Sequence, residues 1–238
     1  MTTRRLFLPP ERIGPGEAAL TPEARHYLRD VLRLEAGAEL ELFDGRGSAY
    51  GAVVLPGHER LRLGPRREAR PALALWLLPA LSKGQKMDLV VQKATELGAT
   101  CVLPFAAGRS VVRLEPGRGE ARVGRWARIA AEAARQCGRA DVPEVRLAPS
   151  LESALAAIPP GLARLVLDPG GEPLSALPGA PAGLAAVVGP EGGLTPEEVQ
   201  ACEAAGARRV AVGPRILRAE TAALAAVVLI QARFGDMV

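Results

Sequence analysis

The sequence predicts an α/β protein in which a small β-barrel-like module precedes a larger domain built on a largely parallel sheet. Three observations carry this. From Ala72 onward, short apolar runs alternate with stretches of helical spacing, the pattern of βα repetition. Ahead of it, short alternating segments surround a single helix. Between the two lies Gly64-Pro65-Arg66-Arg67-Glu68-Ala69-Arg70-Pro71, polar and without periodicity, which reads as a boundary between residues 1–70 and 71–238.

In the first segment Thr21 is placed to cap a helix with Pro22 at its first position. Ala24, Leu28, Val31 and Leu32 share one face and carry the helix to about Arg33. Glu39-Leu40-Glu41-Leu42 alternates, Asp44-Gly45 signals a hairpin turn, and Ala49 to Leu55 forms the return strand. Leu61-Arg62-Leu63 is a further short strand.

In the second segment Ala72 to Leu78 is a continuous apolar run, as in a strand buried on both faces. Met87, Val90, Val91, Ala94 and Leu97 mark a helix closed by Gly98. Thr100–Leu103, Val145–Leu147, Leu165–Leu167, Ala185–Val188 and Arg209–Val212 read as strands. Helices are expected from Val123 to Cys137, near Leu151–Ile158, over Pro196–Ala205 and along the apolar C-terminal segment.

Composition excludes several classes. The longest apolar run, Ala222 to Ile230, has nine residues, against about 20 for a membrane span. The N-terminus lacks the apolar core and cleavage site of a secretory signal. Cys101, Cys137 and Cys202 are odd in number and widely spaced, and only His26 and His58 are present, so neither a disulfide framework nor a metal site is expected. A cytoplasmic protein follows as the expectation. Lys plus Arg total 30, and only Lys83, Lys86 and Lys93 are lysines. Compositional bias explains most of the arginine excess, so placement matters more than number. Arginines cluster at residues 60–70 and 109–139, an arrangement suited to a polyanion. Aromatics are only 3%, which disfavours a base-stacking platform and favours folded RNA read by shape and phosphate.

Two segments could carry chemistry. In Val188-Gly189-Pro190-Glu191-Gly192-Gly193-Leu194-Thr195-Pro196-Glu197-Glu198 a buried strand ends in a glycine-rich loop, and Thr195 with Glu198 forms a capping box for the next helix. Loops at the C-terminal ends of parallel strands are where such sheets bind ligands. No Walker lysine follows, and Glu191 suits a hydroxyl, amine or cation better than a phosphate. A well-capped βα turn explains this loop slightly better on pattern alone. The second segment, Val212-Gly213-Pro214-Arg215-Ile216-Leu217-Arg218-Ala219-Glu220-Thr221-Ala222, sets charged residues at the mouth of an apolar helix, where they need partners. No nucleophile elbow or Cys–His pair is present.

Arg5-Leu6-Phe7, His26 to Arg33, Lys83-Gly84 to Gly98, Arg109-Ser110, Arg125-Trp126 to Arg139, Gly189 to Leu194 and Gly213 to Ala222, in this order, resemble the bacterial small-subunit (16S) ribosomal RNA uridine-N3 methyltransferases of the knotted SPOUT superfamily. The resemblance implies an N-terminal PUA-like RNA-binding domain, a C-terminal domain with a deep trefoil knot, a homodimer, and S-adenosylmethionine as methyl donor. It implies donor contacts from Leu167, Val188, Gly189, Pro190, Glu191, Gly192, Gly193, Val212, Gly213, Ile216, Leu217, Arg218 and Thr221. Arg218, its guanidinium partly desolvated beside the apolar Ile216 and Leu217, or else Arg5 of the small domain, is the expected stabiliser of charge on the target base. Glu191, Glu220 and bulk solvent are alternative proton acceptors. The residues set against 16S rRNA, in the assembled 30S subunit, are Arg5, His26, Arg29, Arg33, Arg66, Arg67, Arg70, Lys83, Lys86, Arg109, Arg125 and Arg139. Methylation of another rRNA or tRNA base, and a non-catalytic assembly factor, are the rival readings.

Overall fold

The computed structural model describes residues 4–69, 72–110, 117–179 and 181–237. The chain divides into two compact units: Met1–Pro71 with Ala131–Val142, and Ala72–Ala130 with Pro143–Val238.

In the first unit β1 (Arg5–Phe7), β2 (Glu17–Ala19), β3 (Glu39–Phe43), β4 (Ser48–Val54) and β5 (Arg60–Glu68) form one sheet in the order β1-β3-β4-β5-β2. Only β1 and β3 pair in parallel. The expected hairpin forms, and Asp44 fixes its turn by accepting the N–H groups of Arg46 and Ser48. Thr21 caps α1 (Pro22–His26) by accepting the Ala24 N–H at 3.1 Å. The helix then widens into a π turn over Tyr27–Val31, and Arg33 adopts a positive φ of 52° that ends it. Leu28, Leu42 and Leu61 are fully buried in this unit's core.

The stretch read as a boundary differs from expectation. Gly64–Glu68 continue β5, with Arg66 opposite Tyr50 and Arg67 opposite Ala49. All five residues are exposed, so no apolar alternation announces the strand. Strands β1 and β2 also escaped the pattern, because each has three residues and is held by distant partners. Arg70 lies outside the described residues.

In the second unit β6 (Ala74–Pro79), β7 (Cys101–Val102), β8 (Glu144–Val145), β9 (Ala163–Pro173), β10 (Gly183–Val188) and β11 (Ala207–Ala211) form a six-stranded sheet in the order β11-β9-β10-β6-β7-β8, parallel throughout. Strand β10 is buried at every residue. The helices are α2 (Lys86–Glu96), α3 (Arg118–Cys137), α4 (Leu151–Ala156), α5 (Pro196–Ala204) and α6 (Ala219–Phe234). Residues of α3 from Ala131 onward belong to the first unit.

Burial also sets cysteine chemistry. Cys101 and Cys202 are buried, which pushes both thiols up to about 12, whereas Cys137 is exposed. Each buried thiol therefore stabilises the fold fully below the ordinary thiol range and less as pH rises above it. One fast-reacting thiol is expected in the native protein at pH 8 and three after denaturation, counted by intact-mass analysis after maleimide labelling. Rapid labelling of Cys101 or Cys202 in the native protein would contradict the packing.

Candidate active site

The two chemistry-bearing loops meet in the second unit around a cleft of about 270 Å³. Three parallel strands build it. Residues 189–193 follow β10, residues 212–217 follow β11, and a bulge of β9 closes the third side. That bulge shows in the register: Arg209 of β11 faces Val166, but the next residue, Val210, faces Glu172. Residues 167–171 are the excess, and Leu167, Asp168 and Pro169 line the cleft. Gly171 permits the excursion, since a Cβ there would lie 2.6 Å from the Arg209 backbone.

The 189–193 loop is tied down from several directions. Thr195 Oγ1 accepts the Glu198 N–H at 3.2 Å while Glu198 accepts the Thr195 N–H at 2.8 Å, completing the expected capping box. Glu198 also accepts the Gly108 N–H at 2.7 Å. Arg109 donates to the Gly192 carbonyl at 3.0 Å. Lys86 Nζ donates to Glu191 Oε1 at 2.7 Å. That bond holds the Glu191 carboxyl below the ordinary range and raises Lys86, so Glu191 is ionised at neutral pH.

Asp168 is the residue sequence reasoning missed. Partial burial works to raise its carboxyl, but the Arg209 guanidinium at 3.0 Å and the Gly170 N–H at 2.7 Å hold it below the ordinary range. The only local signal was Asp168-Pro169-Gly170-Gly171 itself, a dense turn sequence after an apolar strand.

Of the residues set against the donor, Leu167, Val188, Gly189, Pro190, Glu191, Gly193, Val212, Gly213, Ile216 and Leu217 line the cleft. Gly192 contributes its carbonyl to Arg109 instead. Thr221 and Arg218 do not line it. Arg218 stands at the N-cap of α6, makes no side-chain capping bond and is exposed. Its expected desolvation is therefore corrected for the chain alone: the neighbouring Ile216 is 90% exposed and shields nothing. Glu220, in the first turn of α6, has its Oε2 buried, 3.4 Å from Lys86 and without a hydrogen bond.

The residues set against RNA fall into groups. Arg5 is buried: Nε bonds Glu41 at 2.7 Å, Nη1 bonds the carbonyls of Ala134 and Arg139, and the guanidinium stacks on Phe43. It braces the first unit and is not open to phosphate, which corrects that expectation. Arg139 pairs with Asp141 and is largely buried. His26 and Arg29 are exposed and share Asp30. Arg33, Arg66, Arg67, Lys83 and Arg109 are not buried. Arg125 is half exposed and bonds Asp88, which also accepts the Trp126 N–H at 3.2 Å. Lys86 faces Glu191 and Glu220.

No group of His, Cys, Asp and Glu that could hold a metal occurs among the described residues, and no described helix is long and apolar enough to cross a membrane.

Comparison with known proteins agrees with this architecture. A family model for an RNA methyltransferase domain matches residues 69–231, and one for an RNA methyltransferase PUA domain matches residues 20–62. The ribosomal RNA small subunit methyltransferase E of Bacillus subtilis is 36% identical over 87% of this chain and 86% of its own. The Neisseria gonorrhoeae enzyme of the same name, solved bound to S-adenosyl methionine, superposes with a TM-score of 0.88 at 31% identity, covering 100% of both chains. A Legionella pneumophila methyltransferase solved with bound SAM gives a TM-score of 0.89 at 32% identity, covering 99% of this chain and 100% of its own. With matches this long and this similar, the chain belongs to the ribosomal RNA small subunit methyltransferase E family.

Proposed function

We propose that the chain transfers a methyl group from S-adenosylmethionine to N3 of a specific uridine in 16S rRNA, acting in the cytoplasm on the assembled 30S subunit. The observation that carries this is the cleft formed by the β9 bulge and the loops after β10 and β11. Its residues suit the donor. Gly189, Gly193 and Gly213 line the cleft without side chains, so their backbone lets an adenine-type group approach closely, Leu167 and Leu217 offer apolar contact, and the ionised Asp168 and Glu191 favour a cation. The solved relatives that hold this ligand support the same reading.

When bound, the donor supplies an electrophilic methyl on a sulfonium. The chain must position the target and manage its charge. Uracil N3 carries an imide proton and becomes nucleophilic when that proton leaves. Arg218, at the rim beside the loop 213–217, is assigned to the anion that results, where a guanidinium fork can serve a carbonyl oxygen. Glu191 and Glu220 are the proton acceptors to weigh. The hydrogen bond from Lys86 lowers the affinity of Glu191 for a proton, which weakens it in that role.

We also assign a homodimer and a trefoil knot. Exposed Leu89 on α2 and Leu229 on α6, two helices that pack together, support the first. The return of α6 to the β9–β10 connection, where Arg233 bonds the Leu177 carbonyl, supports the second.

Labelling total RNA with a methyl-labelled donor and mapping the product tests the activity. N3-methyluridine in 16S rRNA is expected. Label in tRNA or on another base would favour a different target, and donor binding without transfer would favour an assembly factor.

RNA affinity should fall steeply with salt. Replacing exposed Arg66 and Arg67 with alanine should weaken RNA binding and flatten the salt slope while leaving donor affinity intact, as read by filter binding and calorimetry. An unchanged slope would make these residues a solvated strand face.

A further inference from the structure

Lys86 begins α2, and its partners lie far along the chain. Ordinary helix-surface pairing explains Lys93, which bonds Glu96 three residues on at 2.9 Å. It does not explain Lys86, whose Nζ donates at 2.7 Å to Glu191, 105 residues away, and lies 3.4 Å from Glu220 Oε2. The two carboxylates belong to different walls: Glu191 to the loop after β10, Glu220 to the first turn of α6. Glu220 Oε2 is buried and accepts no hydrogen bond among the described residues, so the Lys86 ammonium is the charge that faces it. Lys83 adds a weaker positive field at Glu191.

We infer that Lys86 is a positioning residue of the donor site, its ammonium clamping Glu191 and Glu220 so that the loop 189–193 and the start of α6 keep the spacing of the cleft. This rests on the donor reading above. Two carboxylates sharing one neighbourhood repel each other. An ammonium between them replaces that repulsion with two attractions. Without it, the burial of Glu220 has no charge to offset it, and the two walls are driven apart. The requirement is one of charge, so an arginine should largely meet it and a neutral side chain should not.

The test is calorimetry of the full chain with S-adenosylmethionine and, separately, S-adenosylhomocysteine. Lys86→Met should weaken both by about tenfold, a coupling ordinary for contacting charges. Lys86→Arg should retain most of the affinity. Adding Glu220→Gln to Lys86→Met should restore part of the loss, because one of the opposed anions is gone and Glu220 does not line the cleft. Lys86→Gln replaces the methionine variant if that one melts early in a thermal scan. Unchanged affinity in Lys86→Met or Lys86→Gln would overturn the inference. So would a loss that neither arginine nor the added Glu220→Gln relieves, since packing and not charge would then be responsible. Failure of the unaltered protein to bind either ligand would sink the donor reading, and the inference with it.

Discussion

Arg218→Ala is expected to lower turnover about 10²-fold, the cost of removing one electrostatic stabiliser from a methyl acceptor, with Arg218→Lys recovering only part. The structure changes where the effect must originate. In the chain alone Arg218 is exposed and makes no capping bond, so water screens its charge. The RNA must supply the desolvation by covering the rim as it delivers the uridine. A guanidinium then acts in a lower dielectric, and its planar fork fits a carbonyl oxygen in a way an ammonium does not. Because the role belongs to the transition state, donor affinity should change far less than turnover. Single-turnover kinetics at saturating donor and RNA separate the two. If Arg218→Ala lost donor affinity and kept its turnover at saturation, the residue would be a donor clamp and this assignment would be wrong.

Gly193→Val should abolish measurable donor binding while the fold survives. Gly193 has a φ of +69°, a left-handed conformation that costs a β-branched residue about 1–3 kcal/mol. A Cβ there meets nothing within 4 Å, so no clash reaches the core and β10 stays buried behind it. The strain is relieved by moving the loop that forms one wall of the cleft, and the valine side chain adds bulk to that wall. Gly189 makes the contrast: a Cβ there would lie 2.9 Å from the Leu194 nitrogen, so substitution would distort the loop's backbone as well. Calorimetry on Gly193→Val showing wild-type affinity would remove this loop from the site.

What was legible in the sequence was local. Thr195, Pro196 and Glu198 lie within four positions, and such spacing predicts a capping box that the structure contains. The apolar run Ala185–Val188 read as a strand and lies in β10, which is buried at every residue. Features made by distant pairing were not legible. Residues 64–68 of β5 are exposed on both faces, and it is the pairing of residues 66–68 with β4 that carries the strand to its end. Arg5 looked like one more surface arginine until Glu41 and the carbonyls of residues 134 and 139 enclosed it. Lys86 likewise gave no sign of Glu191. Asp168 lay hidden because the β9 bulge that aims it into the cleft is a matter of register against β11, which no single strand encodes.

The proposed reaction is methyl transfer to one ring nitrogen of one base. The direct measurement is methylation of purified 30S particles that lack the modification, with this protein and S-adenosylmethionine, followed by nucleoside mass analysis. The account predicts N3-methyluridine at a single site, dependent on both the donor and Arg218. A methyl group on any other base or atom, or none on particles the protein demonstrably binds, would contradict it.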